Sequence, residues 1–277
     1  MWSSTCGPRQ IPIQDHEWPQ RGSHPQFPDI ASPSPGPDSP TVLDGAMSTS
    51  AASTPWWLDP GFLAFDTETT GTDPSTDRIV TAALVHFSSG EPVAEREWLL
   101  KLDIAIPQAS TDVHGITDEH SRAHGQDEGE ALAEVHQHIT TSGLPIVAFN
   151  ATFDIEMLNA NLVRHRLTPI TDTPIICPYV LDKQFDKYVK GRNQRRLMPT
   201  IQRYGLDLDE DSWHGATADA TITGQLFLAE MNKYDALHDL TAHQLGESIA
   251  TWRDEQDREF QAWLARKKAE ESGNVQH

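Results

Sequence analysis

The sequence predicts an α/β domain with a mixed sheet flanked by helices. Consecutive strand candidates separated by turn residues occupy the first half of the ordered region, which is typical of an antiparallel meander. The second half alternates short buried strands with helical patterns, which indicates an α/β arrangement. The chain has 277 residues, 37% of them hydrophobic, which is enough for a core of ordinary size.

Residues 1 to 58 are predicted to form a disordered N-terminal tail. Eleven of the 19 prolines lie in this segment when Pro60 is included, and no apolar periodicity is sustained there. Met47 begins a stretch that resembles an ordinary short N-terminal tail. The first 46 residues are therefore expected to be either an upstream extension or the result of a mis-assigned start.

The predicted domain spans residues 59 to 233 and begins with a buried strand. The apolar run from Phe62 to Phe65 forms this strand, which ends at Asp66. Arg78 to Phe87 and Glu95 to Leu102 are the next two strands, and the residues between them carry a turn signal. These three segments predict the meander.

Helices and strands then alternate along the chain. They are a helix from Gly129 to Thr140, a strand from Pro145 to Phe149, a helix from Asp154 to Arg166, a strand at Ile175 to Cys177, further helices, and a helix from Thr217 to Lys233. Residues 234 to 277 are predicted to be an amphipathic helical extension, as one helix or a pair. This extension either packs on the domain or binds a partner.

Composition excludes several classes of protein. The formal net charge of −20 argues against a protein that coats nucleic acid through its phosphates, although it does not exclude a nucleic-acid enzyme. No apolar run approaches the ~18 residues of a membrane span, and the first residues lack the apolar core of a secretory leader. Cys6 and Cys177 are the only cysteines, so a reducing cytoplasm is the expected compartment.

One segment is strongly basic against this acidic background. From Lys183 to Arg203 there are seven Lys and Arg residues and a single acidic residue, Asp186, so the local charge is 7 − 1 = +6. A solvated loop and helix face is the ordinary interpretation of such a run. Its position just before the third acidic motif described below favours a role near that motif.

The first acidic motif is Asp66-Thr67-Glu68. Residues i and i+2 of a strand point to the same face, so Asp66 and Glu68 are predicted to ligate one metal centre if the strand continues that far. A solvated strand end is the alternative, but two like charges after a buried run are costly without a cation. Oxygen-only ligands suit Mg²⁺ or Mn²⁺.

The second motif runs from Asn150 to Asp154, directly after a predicted strand. Asp154 opens a helix, where the helix dipole favours its charge, so a simple helix-start aspartate would explain it on its own. Phe153 is either a core residue or part of a nucleotide site. Asn150 either holds the loop or contacts substrate.

The third motif joins His214 to Asp219. Five residues along a helix rotate by about 500°, which leaves positions i and i+5 about 140° apart. The two side chains therefore converge only if His214 lies in the loop before the helix and Asp219 in its first turns. A histidine with a pKa of about 6.5 at the edge of a site suits a general base, whereas a surface histidine is the alternative.

The ordered combination of these motifs resembles the DEDDh 3′-5′ exonucleases, the DnaQ-like family that includes the epsilon subunit of bacterial polymerase III, ribonuclease T and oligoribonuclease. The residues that carry the resemblance are Asp66, Glu68, Asn150, Asp154, His214, Asp219 and Ala220. Val113 to Thr117 matches a loop that contacts the terminal nucleotide in epsilon-like members. The resemblance covers roughly Gly61 to Met231.

The resemblance implies a fold and a mechanism. The fold is ribonuclease-H-like, with a five-stranded mixed sheet whose second strand is antiparallel. The mechanism uses two Mg²⁺ or Mn²⁺ ions, held by Asp66, Glu68, Asp154 and Asp219, with Asp66 bridging both ions. His214 is expected to deprotonate the attacking water, and nucleoside 5′-monophosphates are the expected products.

The expected substrate is a single-stranded or frayed 3′ end of DNA, with RNA left open. The resemblance makes Thr69, Thr70, Val113 and His114 candidates for holding the terminal nucleotide, and the basic segment adds Arg192, Arg195 and Arg196 as residues that guide the strand. A free-standing or repair-associated DNA exonuclease is the favoured interpretation. The alternatives are a proofreading subunit that binds a polymerase or another protein through the C-terminal helix, an RNA-directed exoribonuclease, and a catalytically silent binding module.

Overall fold

The computed structural model describes residues 54–191, 193–206 and 215–273, with side chains up to residue 270. The described residues from Pro55 onward belong to one compact unit, Pro55–His277. Trp57 is buried and Trp56 packs against the core, so both residues belong to the domain. Residues 1 to 53, most of the predicted tail, lie outside the described residues.

A mixed sheet forms the centre of the domain. The three long strands are β1 (Phe62–Thr69), β2 (Ile79–Ser88) and β3 (Glu91–Lys101), and three strands of two residues each are β4 (Gln126–Asp127), β5 (Ile146–Val147) and β6 (Ile175–Ile176). Their order in the sheet is β4-β3-β2-β1-β5-β6. β2 is antiparallel to both of its neighbours, whereas β5 and β6 follow β1 in parallel.

The mixed sheet and its antiparallel second strand are thus confirmed. The predicted number of five strands is one too few for the described part of the chain, which has six. The additional strand is β4, which pairs through only two residues with the end of β3. Both residues of β4 are polar, so this strand lacks the apolar run that predicted the equally short β5 and β6.

Eight α-helices surround this sheet in the described residues. They are α1 (Gln108–His114), α2 (Asp118–His124), α3 (Glu128–Ser142), α4 (Thr152–Arg164), α5 (Pro178–Phe185), α6 (Leu197–Arg203), α7 (Ala216–Lys233) and α8 (Ala242–Gly273). Local chemistry sets several of their ends. Thr117 and Asp127 accept hydrogen bonds from backbone N–H groups at the starts of α2 and α3, and Gly115 ends α1 with φ of 76°.

Aromatic packing fixes α7 on the sheet. Phe62 of β1 stacks on Phe87 of β2 with ring centroids 5.0 Å apart, and Phe227 of α7 meets Phe62 edge to face at 5.1 Å. Gly224 faces Phe87 so closely that an added Cβ would lie 2.3 Å from the ring. The close approach of α7 to β2 therefore requires glycine at this position.

The C-terminal extension contains one long helix rather than a pair. α8 buries Leu245, Ile249 and Gln256 against the domain, and every described residue after Gln256 is exposed. The prediction of an amphipathic helix is confirmed for its first half. Among the described residues, none of the helices combines the length and apolar character needed to cross a membrane.

Candidate active site

Three carboxylates converge at the end of β1. The strand continues through Asp66 and Glu68, as the alternation argument required. Asp219 reaches them from the first turn of α7, the helix that packs on β1 and β2. One oxygen from each of the three residues lies within 4.8 Å of the other two. The structure thus brings together two of the three motifs found in the sequence.

Asp154 approaches this group from α4, the helix that follows β5, and β5 is the neighbour of β1 on the side away from β2. It lies in the first turn of α4, directly after β5, and its side chain is 4% exposed. The hydroxyl of Thr67, between the two β1 carboxylates, donates a hydrogen bond of 2.8 Å to Asp154 Oδ1. An aspartate that only begins a helix would face solvent. The burial of Asp154 and its hydrogen bond from Thr67 therefore argue against that simple explanation.

Burial and mutual repulsion raise the pKa values of these groups. Burial raises the pKa of Glu68 to about 8, with further contributions from Asp219 and Asp154. Burial followed by the charge of Asp154 raises the pKa of Asp66 well above its ordinary value. The pKa of Asp154 is raised by burial to about 7, although the hydrogen bond from Thr67 opposes that rise. Like charges in a partly buried site have this effect.

A fifth carboxylate adds to the negative field, and sequence reasoning did not identify it. Glu97 of β3 lies opposite Ala83 of β2, which in turn lies opposite Asp66, so the side chains share one face of the sheet. Glu97 Oε2 accepts hydrogen bonds from the hydroxyl of Thr217 at 2.5 Å and from its backbone N–H at 3.3 Å. Only strand register places Glu97 in this row, and the sequence carried no motif for it.

The donor set fits divalent cations that prefer oxygen. Asp66, Glu68 and Asp219 offer carboxylate oxygens within reach of one ion, and Asp154 lies close enough to raise the pKa of Asp66. Such a cation would favour the charged forms of all four groups and so reverse their repulsion. Mg²⁺ and Mn²⁺ match this all-oxygen chemistry better than metals that prefer sulfur or nitrogen ligands.

The side chains of the two predicted threonines form hydrogen bonds within the turn that follows β1. Thr69 donates its hydroxyl hydrogen bond to the Gly71 carbonyl at 2.7 Å. Thr70 is buried, donates to Asp77 Oδ1 at 3.0 Å and accepts from the Arg78 backbone N–H at 3.0 Å. Their side chains thus hold the loop beside the site, and contact with a nucleotide by either residue stays a prediction.

Val113 and His114 lie at the end of α1, near this turn. Val113 is 54% exposed, whereas His114 is buried. His114 Nδ1 accepts a hydrogen bond from the Ile116 backbone N–H at 3.1 Å. Burial lowers the pKa of His114, although a hydrogen bond with the Thr69 backbone opposes that shift. An exposed apolar side chain beside a neutral imidazole is compatible with the predicted nucleotide contact.

Asn150 and Phe153 flank Asp154 at the end of β5. Asn150 is exposed with φ of 58°, and its Oδ1 accepts a hydrogen bond of 3.2 Å from Arg253 Nη1 of α8. Phe153 is half-buried and packs against the core. Asn150 therefore ties this loop to the C-terminal helix, and its contact with substrate stays a prediction.

The predicted arginines divide between two environments. Arg195 donates hydrogen bonds of 2.6 Å to buried Asp182 and to the Asp186 carbonyl. Arg196 is exposed and lines a groove of about 490 Å³ that also contains Asp219. The groove is otherwise lined by Asn193, Gln194, Leu197, Met198 and Pro199. Arg192 and His214 lie outside the described residues, so their predicted roles stay predictions.

Comparison with known proteins shows a consistent likeness. The RNase_T family model, described as exonuclease, matches residues 63–227. The chain is 31% identical over 183 residues to DNA polymerase III PolC-type of Streptococcus suis, covering 66% of this chain and 12% of that protein. It is 33% identical over 175 residues to a DNA polymerase III subunit epsilon-like protein of Rhodobacter capsulatus, covering 60% of this chain and 23% of that protein.

A solved structure shares the fold. E. coli exonuclease I in complex with a dT13 oligonucleotide superposes with a TM-score of 0.54 at 22% identity, covering 62% of this chain and 40% of that one. The chain thus spans well under half of the length of each of these relatives. The likeness confirms the predicted ribonuclease-H-like exonuclease fold.

Proposed function

This chain belongs to the RNase_T family of exonucleases, and from that membership we propose that it is a metal-dependent 3′-5′ exonuclease acting on DNA. The observation that carries the proposal is the convergence of Asp66, Glu68 and Asp219 within 4.8 Å, with buried Asp154 beside them. These residues come from three distant segments of the chain. A cluster of carboxylates with raised pKa values is stable in its charged form only beside cations.

Each acidic residue has a distinct role in the proposed reaction. Asp66, Glu68 and Asp219 would hold one divalent cation, and Asp154 together with Asp66 would hold a second. When bound, the two ions supply electrostatic stabilisation of the charge that develops on the scissile phosphate. Thr67 keeps the carboxylate of Asp154 oriented through its 2.8 Å hydrogen bond. The proposed products are nucleoside 5′-monophosphates.

His214 is the proposed general base. It precedes α7 by two residues, and Asp219 lies in the first turn of that helix. A histidine at this point in the sequence takes the proton of the attacking water near neutral pH. Its replacement by Gln should lower the maximal rate far more than it lowers metal affinity. An equal loss of both would reject the assignment.

DNA is the proposed substrate class because of what related proteins bind. The structural relative is bound to a dT13 oligonucleotide, and the sequence relatives are a DNA polymerase III PolC-type and a DNA polymerase III subunit epsilon-like protein. The groove beside Asp219 has an apolar floor of Leu197, Met198 and Pro199 and an exposed arginine at its edge. An apolar surface next to a cation suits a base and its phosphate.

One set of assays tests the proposal. The substrates are 5′-labelled single-stranded DNA, a duplex with a mismatched 3′ end and a short RNA, each incubated with Mg²⁺, Mn²⁺ or EDTA. A ladder that shortens from the 3′ end and requires metal is expected. Absence of cleavage under every condition, or equal cleavage by Asp66→Ala, would reject it. RNA cut faster than DNA would favour the exoribonuclease alternative.

Proofreading within a polymerase assembly is the second candidate. It is favoured by the match to PolC-type polymerases, of which this chain resembles only a 12% segment. A proofreading exonuclease should excise a mismatched 3′ terminus faster when its polymerase partner is present. Equal rates on matched and mismatched ends, with no protein partner recovered alongside the chain, would favour the free-standing enzyme.

A further inference from the structure

The second half of α8 projects from the domain on the side of the candidate active site. Gly246 of this helix lies against Pro174 and Ile175 at the start of β6, and Arg253 reaches Asn150 beyond the end of β5. α8 therefore runs in the same direction as the parallel strands. Gln256 is the last buried residue among the described side chains of α8, and it donates a hydrogen bond of 3.2 Å to the Val180 carbonyl.

The helix continues for 17 residues after Gln256, which corresponds to about 25 Å at 1.5 Å per residue. Asp66, Glu68 and Asp154 also lie at or just beyond the carboxyl ends of β1 and β5. The projecting half therefore extends past the edge of the sheet that carries the site. We define residues 257–270, whose side chains are all exposed, as the arm.

The arm carries an exposed aromatic pair. Phe260 and Trp263 are 49% and 46% exposed, and their rings stack at 5.9 Å between centroids. They continue the stripe with which α8 packs on the domain, because Trp252, Gln256 and Phe260 follow at four-residue intervals. The aromatic pair thus lies on the same face of α8 as the residues that pack on the domain.

Positive charge accompanies the aromatic pair. Arg266, Lys267 and Lys268 follow without an acidic residue between Phe260 and Ala269. Lys267 Nζ lies 5.4 Å from the centre of the Trp263 ring. Four carboxylates precede this segment, at 254, 255, 257 and 259, and Glu270 and Glu271 follow it, so the basic character is confined to residues 260–269. This local patch stands out in a chain with a net charge of −20.

We propose that the arm binds the single-stranded part of the nucleic-acid substrate, upstream of the 3′ end that enters the active site. This inference rests on the proposed function and extends it from the reacting end to the body of the strand. Aromatic faces stack with bases of any sequence, and neighbouring Lys and Arg side chains contact the phosphates. The arm extends past the edge of the sheet that carries Asp66, so a strand bound at Trp263 lies on the side of the domain where the site is.

The length of the DNA strand distinguishes binding at the arm from binding at the active site alone. A strand of about 4 nucleotides fills the site alone, whereas one of about 20 nucleotides also reaches the arm. In the full chain, Phe260→Ala combined with Trp263→Ala should lower kcat/KM for the long thymidylate strand about tenfold or more and leave the short strand unchanged. Val93→Ala is the matched control, because Val93 is 56% exposed on β3 at the opposite edge of the sheet.

Binding is measured separately from cleavage. Fluorescence anisotropy of the labelled long thymidylate strand in EDTA should show about tenfold weaker binding by the double aromatic variant. Neutralising Arg266, Lys267 and Lys268 to Gln should reduce the slope of log K against log salt by about 0.7 for each phosphate contact removed. Because the aromatic pair is exposed, these substitutions leave the core intact.

The outcomes separate the two proposals. If the parent cuts DNA but the aromatic variant retains the full preference for long strands and unchanged binding, the arm inference is wrong and the proposed function stands. If the parent cuts no substrate, the proposed function fails, and strand binding lost only in the arm variants would still support the arm. A change in molecular mass by light scattering with unaltered DNA binding would assign the aromatic pair to a second copy of the chain and overturn the inference.

Discussion

Glu97 on β3 accepts hydrogen bonds from the hydroxyl and the backbone N–H of Thr217, 2.5 and 3.3 Å away, at the start of the helix that carries Asp219. The contact joins the far side of the meander to the first turn of α7. It fixes this turn relative to the row Asp66, Ala83 and Glu97 across the sheet. Glu97 is therefore a positioning residue for Asp219 as well as a nearby negative charge.

Removing the hydroxyl of Thr217 should loosen that attachment. Thr217→Ala is expected to lower kcat/KM about tenfold and to raise the Mn²⁺ concentration that half-saturates activity, with a loss of about 1 kcal/mol in unfolding free energy. Thr217→Ser retains the hydroxyl and should restore metal affinity. A structural role alone would change the stability of both variants and leave the half-saturating concentration of Mn²⁺ untouched.

Repulsion among the carboxylates should destabilise the metal-free protein. Asp66→Asn is expected to raise the melting temperature of the metal-free protein by about 2 to 4 °C for each kcal/mol of repulsion removed. The same substitution should abolish the further rise in melting temperature with Mg²⁺ or Mn²⁺ and lower the cleavage rate at least about 10²-fold. Thermal denaturation with and without metal measures this. Asp239→Asn, at an exposed aspartate six residues after the end of α7, serves as the control and should behave like the parent. A metal-induced rise retained by Asp66→Asn would exclude Asp66 as a ligand.

Arg195 and Arg196 are adjacent in the basic segment but should respond differently to neutralisation. Arg196 is exposed at the groove, so Arg196→Gln is expected to raise KM several-fold and weaken its salt dependence without lowering stability. Arg195 is bound to buried Asp182, which Arg203 also contacts at 2.6 Å, so Arg195→Gln should cost about 1.5 to 3 kcal/mol by removing one of the two partners of a buried charge. Denaturation and initial rates at two salt concentrations separate the effects. Unchanged substrate capture by Arg196→Gln at low salt would reject strand guidance by this residue.

Glu230 should make stability depend on pH. It is fully buried in α7, and burial followed by the charge of Asp182 raises its pKa well above the ordinary value. The folded protein therefore retains a proton that the unfolded chain loses above its ordinary pKa of about 4.5. Stability from this group is present at low pH and declines as the pH rises from about 4.5 toward the folded pKa.

The isosteric variant Glu230→Gln removes that titration. Its unfolding free energy should decline less than that of the parent between pH 5 and 8, measured by denaturant titration. Glu156→Gln, an exposed residue of α4, is the matched control and should follow the parent. Parallel pH profiles for the parent and Glu230→Gln would show that Glu230 does not carry the proton.

Two glycines in helices should respond in opposite directions to alanine. At Gly224 an added Cβ would lie 2.3 Å from the ring of Phe87, so Gly224→Ala is expected to cost about 1 to 3 kcal/mol despite its better helix propensity. At Gly246 the nearest atoms would be 3.5 Å away, and Gly246→Ala should stabilise α8 by up to about 1 kcal/mol. Denaturant titration of both variants tests the packing. Stabilisation by Gly224→Ala would show that α7 does not need the close approach to β2.

The sequence by itself determined the mixed sheet with its antiparallel meander, the helix that presents Asp219, and the carboxylates of the three motifs. Each of these follows from local information: alternation along a strand fixes the face shared by Asp66 and Glu68, and helical periodicity fixes the elements around them. The family resemblance rested on the same short segments and was confirmed over residues 63–227. β4 consists of two polar residues, Gln126 and Asp127, so it lacks the apolar run that identified β5 and β6 in the sequence.

Only the tertiary structure decided which other side chains surround those carboxylates. Glu97 enters the row of Asp66 through the pairing of three strands, and Thr67 holds Asp154 across 87 positions of sequence. Arg195 is bound to Asp182 while neighbouring Arg196 faces the groove, a division that charge counting cannot make. These relationships depend on register and packing between distant segments, whereas sequence patterns report only the periodicity within one segment.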